Sequence, residues 1–542
     1  MTVTEPTRDV FNQPPPLEGF NAFESNTPLV EAVEREGASW AVDRLRTLGD
    51  EAGDRHTLEL GRLANENPPK LKTHDRFGNR IDEVEFHPAW HELMRHAVGH
   101  GMAALPWREP GPGAHVARAA IMLTMSGVEA GTGCPISMTY AAVPALRRQP
   151  DLAAEWEPRL TSLEYDGEEL RPADQKRGAL FGMAMTERQG GSDVRANTTA
   201  AEPTGVDGEY ALTGHKWFCS APMCDGFLVL AQTSAGVTCF LLPRFTPDGQ
   251  RNTFRINRLK DKLGNRSNAS SEVEFRAAWA RLLGEEGRGV QTILEMVNHT
   301  RLDCVIGSAA GMRWGTARAI HHAANRRAFG KPLIDQPLMR NVLADLAIES
   351  EAATTAMMRL ARSYDEADAP FRRLATAVLK YWTCKRAPVH AAEALECLGG
   401  NGYVEEWGLA RLYREAPLNS IWEGSGNVQC LDVLRAIQKS PESLKALLAE
   451  IREARGADAR LDTYVNELRA QLERPDDLEA RARRLVERLA LALQASLLVR
   501  HAPADVADAF CASRLAGDGG RAFGTLPAGI DFGAILARSL TS

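Results

Sequence analysis

The hydrophobic period changes twice along this chain, and that change limits its fold more than any other feature. From about Thr27 to Leu163 apolar residues recur at helical spacing, as in Leu29, Val30 and Val33 and in the long stretch His115–Thr139. Between about Gly178 and Arg281 the period drops to two. Residues 208–214, 226–233, 237–243 and 271–275 read there as short strands bounded by Gly and Asp. From Val290 helices return at 290–297, 302–327, 338–365 and 371–398, Ala-rich and amphipathic, with connections short enough for a bundle. A further helical region follows Arg435, with a turn-rich closure at 517–524. Helices, then a β module, then a bundle is not a dinucleotide-binding α/β plan, which needs strands alternating with helices. The expected fold is mostly α with a β insert. Its parts are an N-terminal arm and helical domain (1–180), a middle β-barrel or sandwich domain (181–288), a helical bundle (289–438) and an extra C-terminal helical domain (439–542).

Composition narrows the function classes. The 542 residues are 44% hydrophobic and 25% charged, too apolar and too balanced in charge for a disordered chain. The longest apolar run, Leu489–Val499, is broken by Gln494 and Ser496 and falls short of the roughly 18–20 residues a membrane helix needs. The N-terminus lacks a basic segment followed by an apolar one, so no secretory signal is read there. Pro14, Pro15 and Pro16 make the first thirty residues an extended arm. Nine scattered cysteines without a CxxC pair suit reduced structural thiols in a cytoplasmic protein. A net charge of -7 offers no global attraction to nucleic acid or anionic membrane. These readings together point to a cytoplasmic globular protein, and to an enzyme.

Several local patterns carry chemistry, each beside a plainer reading. His91, His96 and His100 sit on one predicted helix, but the zinc-protease pattern needs two His four apart with Glu beside the first. His96 and His100 have that spacing without the Glu, so surface or capping histidines are expected and no metal. Gly190-Gly191-Ser192-Asp193 is a loop whose glycines let backbone N–H groups approach an anion, or simply a turn. Glu423 follows Trp422 and precedes Gly424-Ser425-Gly426. Apolar bulk would desolvate it and raise its pKa, as a general base requires. On local sequence alone a helix-start Glu interacting with the helix dipole is the favoured reading. Arg326, with Phe329-Gly330, ends a helix and suits a phosphate or a carboxylate partner. Leu398-Gly399-Gly400 reads as a helix C-cap and turn.

Taken in order, these segments resemble the acyl-CoA dehydrogenase family. The resemblance rests on MTERQGGSD at 185–193, GHKWF at 214–218, LGNRSN at 263–268, LLGEEGRG at 282–289, RRAFGKPL at 326–333, LGGNGY at 398–403 and IWEGSGN at 421–427. The arm VFNQPPPL, the segment ELGRLANENPPKL, CPISMTYAA at 134–142 and the extra hundred C-terminal residues resemble one branch more closely. That branch comprises flavoproteins associated with the bacterial response to alkylating agents.

The resemblance implies FAD held between the β-domain, the bundle and a neighbouring subunit, and therefore a homotetramer. It places Met185, Thr186, Gly191 and Ser192 against the isoalloxazine and pyrophosphate, and Phe218, with Trp217 beside it, on the flavin ring. It gives Arg326 and Phe329, with Gly399 and Gly400, to the partner's FAD, and Ser425 and Asn427 to flavin contacts. Glu423 is implied as the catalytic base and Arg301 as the arginine facing the substrate. Two departures stand out. Phe218 and Ser220 occupy positions where family members often carry Trp and Thr, and Glu396 stands where many carry Gln. The Ser220 hydroxyl is in place to reach flavin N5.

The implied activity is α,β-dehydrogenation of a short or branched acyl-CoA thioester. Glu423 takes the α-proton and hydride passes to the flavin and then to an unnamed electron acceptor. The alternative is a flavoprotein that binds double-stranded DNA and protects it against alkylation, with weak or vestigial dehydrogenation. Pro441–Ser542 carries a net charge of -1, against the positive excess usual in a DNA-binding domain. Arg481, Arg484 and Arg488 nevertheless share a helix face and make the candidate DNA contact.

Overall fold

The computed structural model describes residues 10–540 except 367 and 475. The N-terminal part packs the helices Thr27–Arg35, Val42–Gly53, Arg55–Glu66, Pro88–Gly99, Ala114–Ser126, Gly133–Leu146 and Pro150–Leu160. The last of the long helices there, Gly133–Leu146, is buried around nearly its whole circumference, which suits its position between the β-domain and the bundle. An antiparallel hairpin, Lys70–His74 with Arg80–Glu85, interrupts these helices. The sequence reading did not single out this hairpin, whose two short strands carry only Leu71, Ile81 and Val84 as apolar residues.

The middle part is a seven-stranded sheet. Its longest strands, Glu209–Ser220 and Ser270–Leu282, pair antiparallel, and Gly226–Thr233 pairs antiparallel with Gly236–Pro243. Gly236–Pro243 also meets Ser270–Leu282, and Ala200–Pro203 bridges the other side, so the path closes into a small barrel. Phe181–Ala184 lies parallel to Gly226–Thr233 at one edge and Phe254–Leu259 pairs with Ser270–Leu282.

Beyond the barrel, the expected helices 290–297 and 302–327 are one continuous helix of 37 residues, Gly289–Asn325. The junction, Asn298-His299-Thr300-Arg301, is poor in strong helix formers, which is why the sequence suggested a break. Burial decides otherwise, since Thr300, Arg301 and Asp303 are enclosed and each finds a polar partner across the core. Asp303 accepts both Nη groups of Arg118 at 2.6 and 2.8 Å, and the Arg118 guanidinium lies 3.4 Å from the Tyr140 ring centroid. This central helix packs with Pro337–Asp365 and Ala369–Glu396, and Gly426–Lys439 packs on Ala369–Glu396. The C-terminal helices Pro441–Arg452 and Leu478–His501 lie against that bundle and Ala459–Leu472 packs on Leu478–His501, with the apolar run from Leu489 to Leu498 buried. Arg538, near the end of the chain, pairs with Glu31 of the first helix and Glu351 of the bundle. No helix among the described residues is long and apolar enough to cross a membrane. All nine cysteines are free and buried.

Candidate active site

Barrel, bundle and N-terminal helices enclose a cavity of about 820 Å³. Glu423 projects into it from the loop between the short turn Leu418–Ser420 and the helix Gly426–Lys439. That loop is held in an unusual shape. Glu423 has φ +57° and Gly424 φ +96°, and a Cβ on Gly424 would lie 2.6 Å from Gln429 Nε2. A left-handed non-glycine residue costs about 1–3 kcal/mol and persists only where its surroundings over-determine it.

Here three successive carbonyls are pinned. Lys380 donates to the carbonyls of Trp422, at 2.7 Å, and Gly424. Arg301 Nε and Gln429 Nε2 both donate to the Glu423 carbonyl at 3.0 Å, and Gln429 also reaches Gly424. Asp432 anchors the arginine, 3.0 Å from Arg301 Nη1 and 2.7 Å from Arg373 Nη2. Burial pushes the Asp432 carboxyl up, but Arg373 and Arg301 outweigh it and hold the group below the usual range.

The Glu423 carboxyl accepts from the Thr300 hydroxyl at 2.6 Å. Burial raises its pKa above the usual carboxylate range, and the Thr300 bond, Lys380 and Arg301 oppose this only in part. A desolvated carboxylate with few bonds to its charged form is a stronger base than an exposed one.

The barrel supplies the opposite wall through Met185, Thr186, Gly191, Ser192, Phe218 and Ser220. Gly191 is needed for its lack of a side chain, since a Cβ there would lie 2.5 Å from Thr186 Oγ1. Behind this segment the buried Lys216 and Glu187 pair at 2.8 Å, and Glu187 also accepts from Thr198 N–H and the Thr199 hydroxyl. Burial works against the charged Glu187, but Lys216 and these donors hold its carboxyl far below the usual range. Phe218 is 53% exposed and lines the cavity. Trp217 does not line it; its ring lies under Lys260 Nζ, 3.5 Å from the centroid.

The deeper wall carries charges that sequence reading did not single out. Glu129 lines the cavity at 4% exposure, and its buried Oε1 has no protein partner. Burial and the neighbouring Glu129 push the Glu415 carboxyl up to about 7, and burial brings Lys262 down to about 8.

The structure brings Met185, Thr186, Gly191, Ser192, Phe218, Ser220, Arg301, Glu423 and Ser425 together around one cavity. Arg301, expected to face the substrate, lines that cavity but commits two of its nitrogens to Glu423 and Asp432. Arg326, Phe329, Gly399, Gly400 and Asn427 lie outside it. Arg326 donates to the Asn12 carbonyl of the N-terminal arm, Phe329 is 98% exposed, and Asn427 accepts from Arg483 Nε at 2.8 Å. Glu396 is exposed. Of the candidate DNA-facing arginines, Arg481 donates to the carbonyls of Arg474 and Asp476. Arg488 lies over the Tyr464 ring and pairs with Glu467 at 2.9 Å, and Arg484 is exposed. Thr300, Lys380 and Gln429 were missed. The signal for Lys380 was a lysine inside the apolar run Ala377–Trp382; Thr300 and Gln429 gave none.

A helical domain, a small barrel and a helical bundle closing on one loop-borne carboxylate make the acyl-CoA dehydrogenase fold. Comparison with known proteins carries this further. Residues 12–167 match the adaptive response protein AidB N-terminal domain, 182–278 the acyl-CoA dehydrogenase middle domain and 287–438 the acyl-CoA dehydrogenase C-terminal domain. AidB of Escherichia coli (strain K12) is 49% identical over 95% of both chains. The crystal structure of Caenorhabditis elegans ACDH-11 in complex with C11-CoA superposes with a TM-score of 0.86 at 26% identity, covering 95% of each chain. A Mycobacterium smegmatis glutaryl-CoA dehydrogenase in complex with FADH2 shares the fold, with a TM-score of 0.62 at 21% identity over 76% of this chain and 98% of that one. The chain belongs to the acyl-CoA dehydrogenase family, in the branch of AidB.

Proposed function

We propose that the protein is an FAD-dependent acyl-CoA dehydrogenase in which Glu423 removes the α-proton of a thioester, a short or branched acyl chain being the first class to test. The observation that carries this reading is the Glu423 carboxyl itself, desolvated in the cavity and aimed by Thr300 while its backbone is clamped by Lys380, Arg301 and Gln429.

The residues present fit a flavin. The missing side chain at Gly191 and the exposed Ser192 leave room and polar surface for a cofactor, the buried Glu129 Oε1 is an unpartnered polar atom in the same wall, and the volume lies within the about 300–1,000 Å³ of known ligand sites. When bound, FAD would supply the acceptor for the β-hydrogen as hydride. Met185, Thr186 and Ser192 would hold it, with Ser220 towards its reactive face. Glu423 receives the α-proton on its free carboxyl oxygen while Thr300 occupies the other. The backbone N–H of Glu423 meets no protein acceptor among the described residues, which suits it to bond the thioester oxygen as charge develops there. Phe329, Leu338 and Tyr403 are more than four-fifths exposed, which supports a homotetramer that covers them beside Arg326.

Anaerobic addition of straight and branched acyl-CoAs, followed by flavin absorbance, tests the reading. Bleaching by a thioester should be lost in Glu423→Gln while FAD stays bound. A flavin that no thioester reduces, or one released by that substitution, would refute the assigned role. Salt-dependent binding of duplex DNA would then become the function to pursue.

A further inference from the structure

Outside the cavity, two histidines and a carboxylate from different helices converge on one point. His96 and His100 lie four residues apart at the end of the helix Pro88–Gly99 and its cap, so their rings share a face. Glu51 comes from Val42–Gly53. Its Oε2 is 3.1 Å from His96 Nδ1 and 2.8 Å from His100 Nε2. Among the described residues this is the one group of three such side chains whose ligand atoms all lie within 4.8 Å of one another. The side chains are 29%, 17% and 34% exposed for His96, His100 and Glu51, open enough for an ion to enter and shielded enough to retain one.

Charge and geometry both suit a cation. Glu51 turns one carboxylate oxygen to both imidazoles, so the three donors already face a common point. One carboxylate oxygen serving two imidazoles requires a proton on each facing nitrogen; a divalent ion would replace both. Two His and one Glu, with a fourth position left to water, is a donor set that holds zinc in known enzymes. Ligation at about 2.0–2.1 Å places tetrahedral donors roughly 3.3 Å apart, so the observed separations need open only slightly. Two imidazoles favour Zn²⁺, Co²⁺ or Ni²⁺ over Mg²⁺ or Ca²⁺, which prefer oxygen. Glu92, one turn before His96, is engaged by His56 at 2.9 Å, and Arg44 donates to the His100 carbonyl, away from the ring nitrogens.

We propose that Glu51, His96 and His100 form a zinc-class metal site that ties Val42–Gly53 to Pro88–Gly99. It lies apart from Glu423, and nothing in it depends on the dehydrogenase reading.

The test is a titration of Co²⁺ into full-length, flavin-loaded protein stripped with EDTA and desalted, read at wavelengths beyond the flavin envelope. One Co²⁺ per chain with the intense visible band of four-coordinate cobalt, displaced by Zn²⁺, is expected. Loss of a group that only hydrogen-bonds a ligand already weakens metal sites about 10–100-fold, so Glu51→Gln and His100→Ala, which remove ligands, should each cost at least that. Retained flavin absorbance shows that each variant is folded, and His96→Gln replaces either one that is not. A pale six-coordinate spectrum, or a four-coordinate band that survives in these variants, would overturn the site and leave two ion pairs.

Discussion

Replacing Thr300 by valine removes one hydroxyl from the reaction centre at almost constant volume. The hydroxyl lies 2.6 Å from Glu423 Oε2 and 3.0 Å from the Val297 carbonyl, and it has one proton to give. While Glu423 is ionised, that proton points at the carboxylate. Once Glu423 is protonated it can donate to Thr300, which then turns its own proton to Val297. The hydroxyl therefore serves both states but favours the charged one. Hydrogen bonds to charged groups contribute about 1.5–3 kcal/mol and neutral ones about 0.5–1.5 kcal/mol. The difference, roughly 1–1.5 kcal/mol, corresponds to about one pKa unit. Burial already holds Glu423 above the carboxylate range, and removing the donor pushes it further up. A base works only when ionised, so activity should be lost from the acid side. The measurement is the first-order rate of flavin reduction by an acyl-CoA in a single turnover, across the acid-to-neutral range. Thr300→Val should move the acid limb up by about one unit with a smaller change in the high-pH plateau. An equal fall at every pH would reduce Thr300 to packing, and a limb moved to lower pH would contradict the electrostatic argument outright.

Two further expectations concern stability. Asp303→Asn leaves the buried Arg118 guanidinium without its counter-charge, and breaking a buried pair from one side costs about 3–5 kcal/mol. Denaturant unfolding should show that loss, and the double replacement Arg118→Met with Asp303→Leu should recover most of it; a single-variant loss under about 1 kcal/mol would contradict the burial argument. Glu415 carries a folded pKa raised from the usual 4.5 to about 7, so the folded state holds its proton longer than the unfolded chain. Stability from this group is complete below the unfolded value and is lost as pH rises through that window, by up to about 3 kcal/mol. Glu415→Gln keeps an acceptor for the Asn265 N–H and should flatten the dependence of Tm on pH between those limits. An unchanged slope would assign the dependence to other groups.

Much of the architecture is visible in local pattern. Gly226–Thr233 and Gly236–Pro243 are where a period of two and flanking turns place strands, and the Ala-rich stretches after the barrel are helices. The short strands Phe181–Ala184 and Ala200–Pro203 are not, since four residues carry too little alternation to register. Met185, Gly191, Ser220 and Glu423 stand out as candidate site residues only through motif resemblance, and the structure gathers them from the barrel and the bundle around one cavity. Arg326 and Phe329, given by the same resemblance to a neighbouring subunit's cofactor, lie outside that cavity, Arg326 bonded to the N-terminal arm and Phe329 98% exposed, and a single chain does not bring them to a site.

By itself, the sequence determined the order of helical, β and bundle segments, the absence of a Rossmann plan and the presence of a carboxylate on a Gly-rich loop. Hydrophobic period and turn chemistry are local, and neighbouring residues suffice to express them. Only the tertiary structure decided that Thr300, Lys380 and Gln429 would fix that carboxylate, that residues 289–325 would run as one helix, and that Glu51 would meet His96 and His100. Gln429 reaches back only six residues, but the other contacts join side chains tens to more than a hundred residues apart, brought within hydrogen-bond reach by packing that burial, and no local pattern, selects.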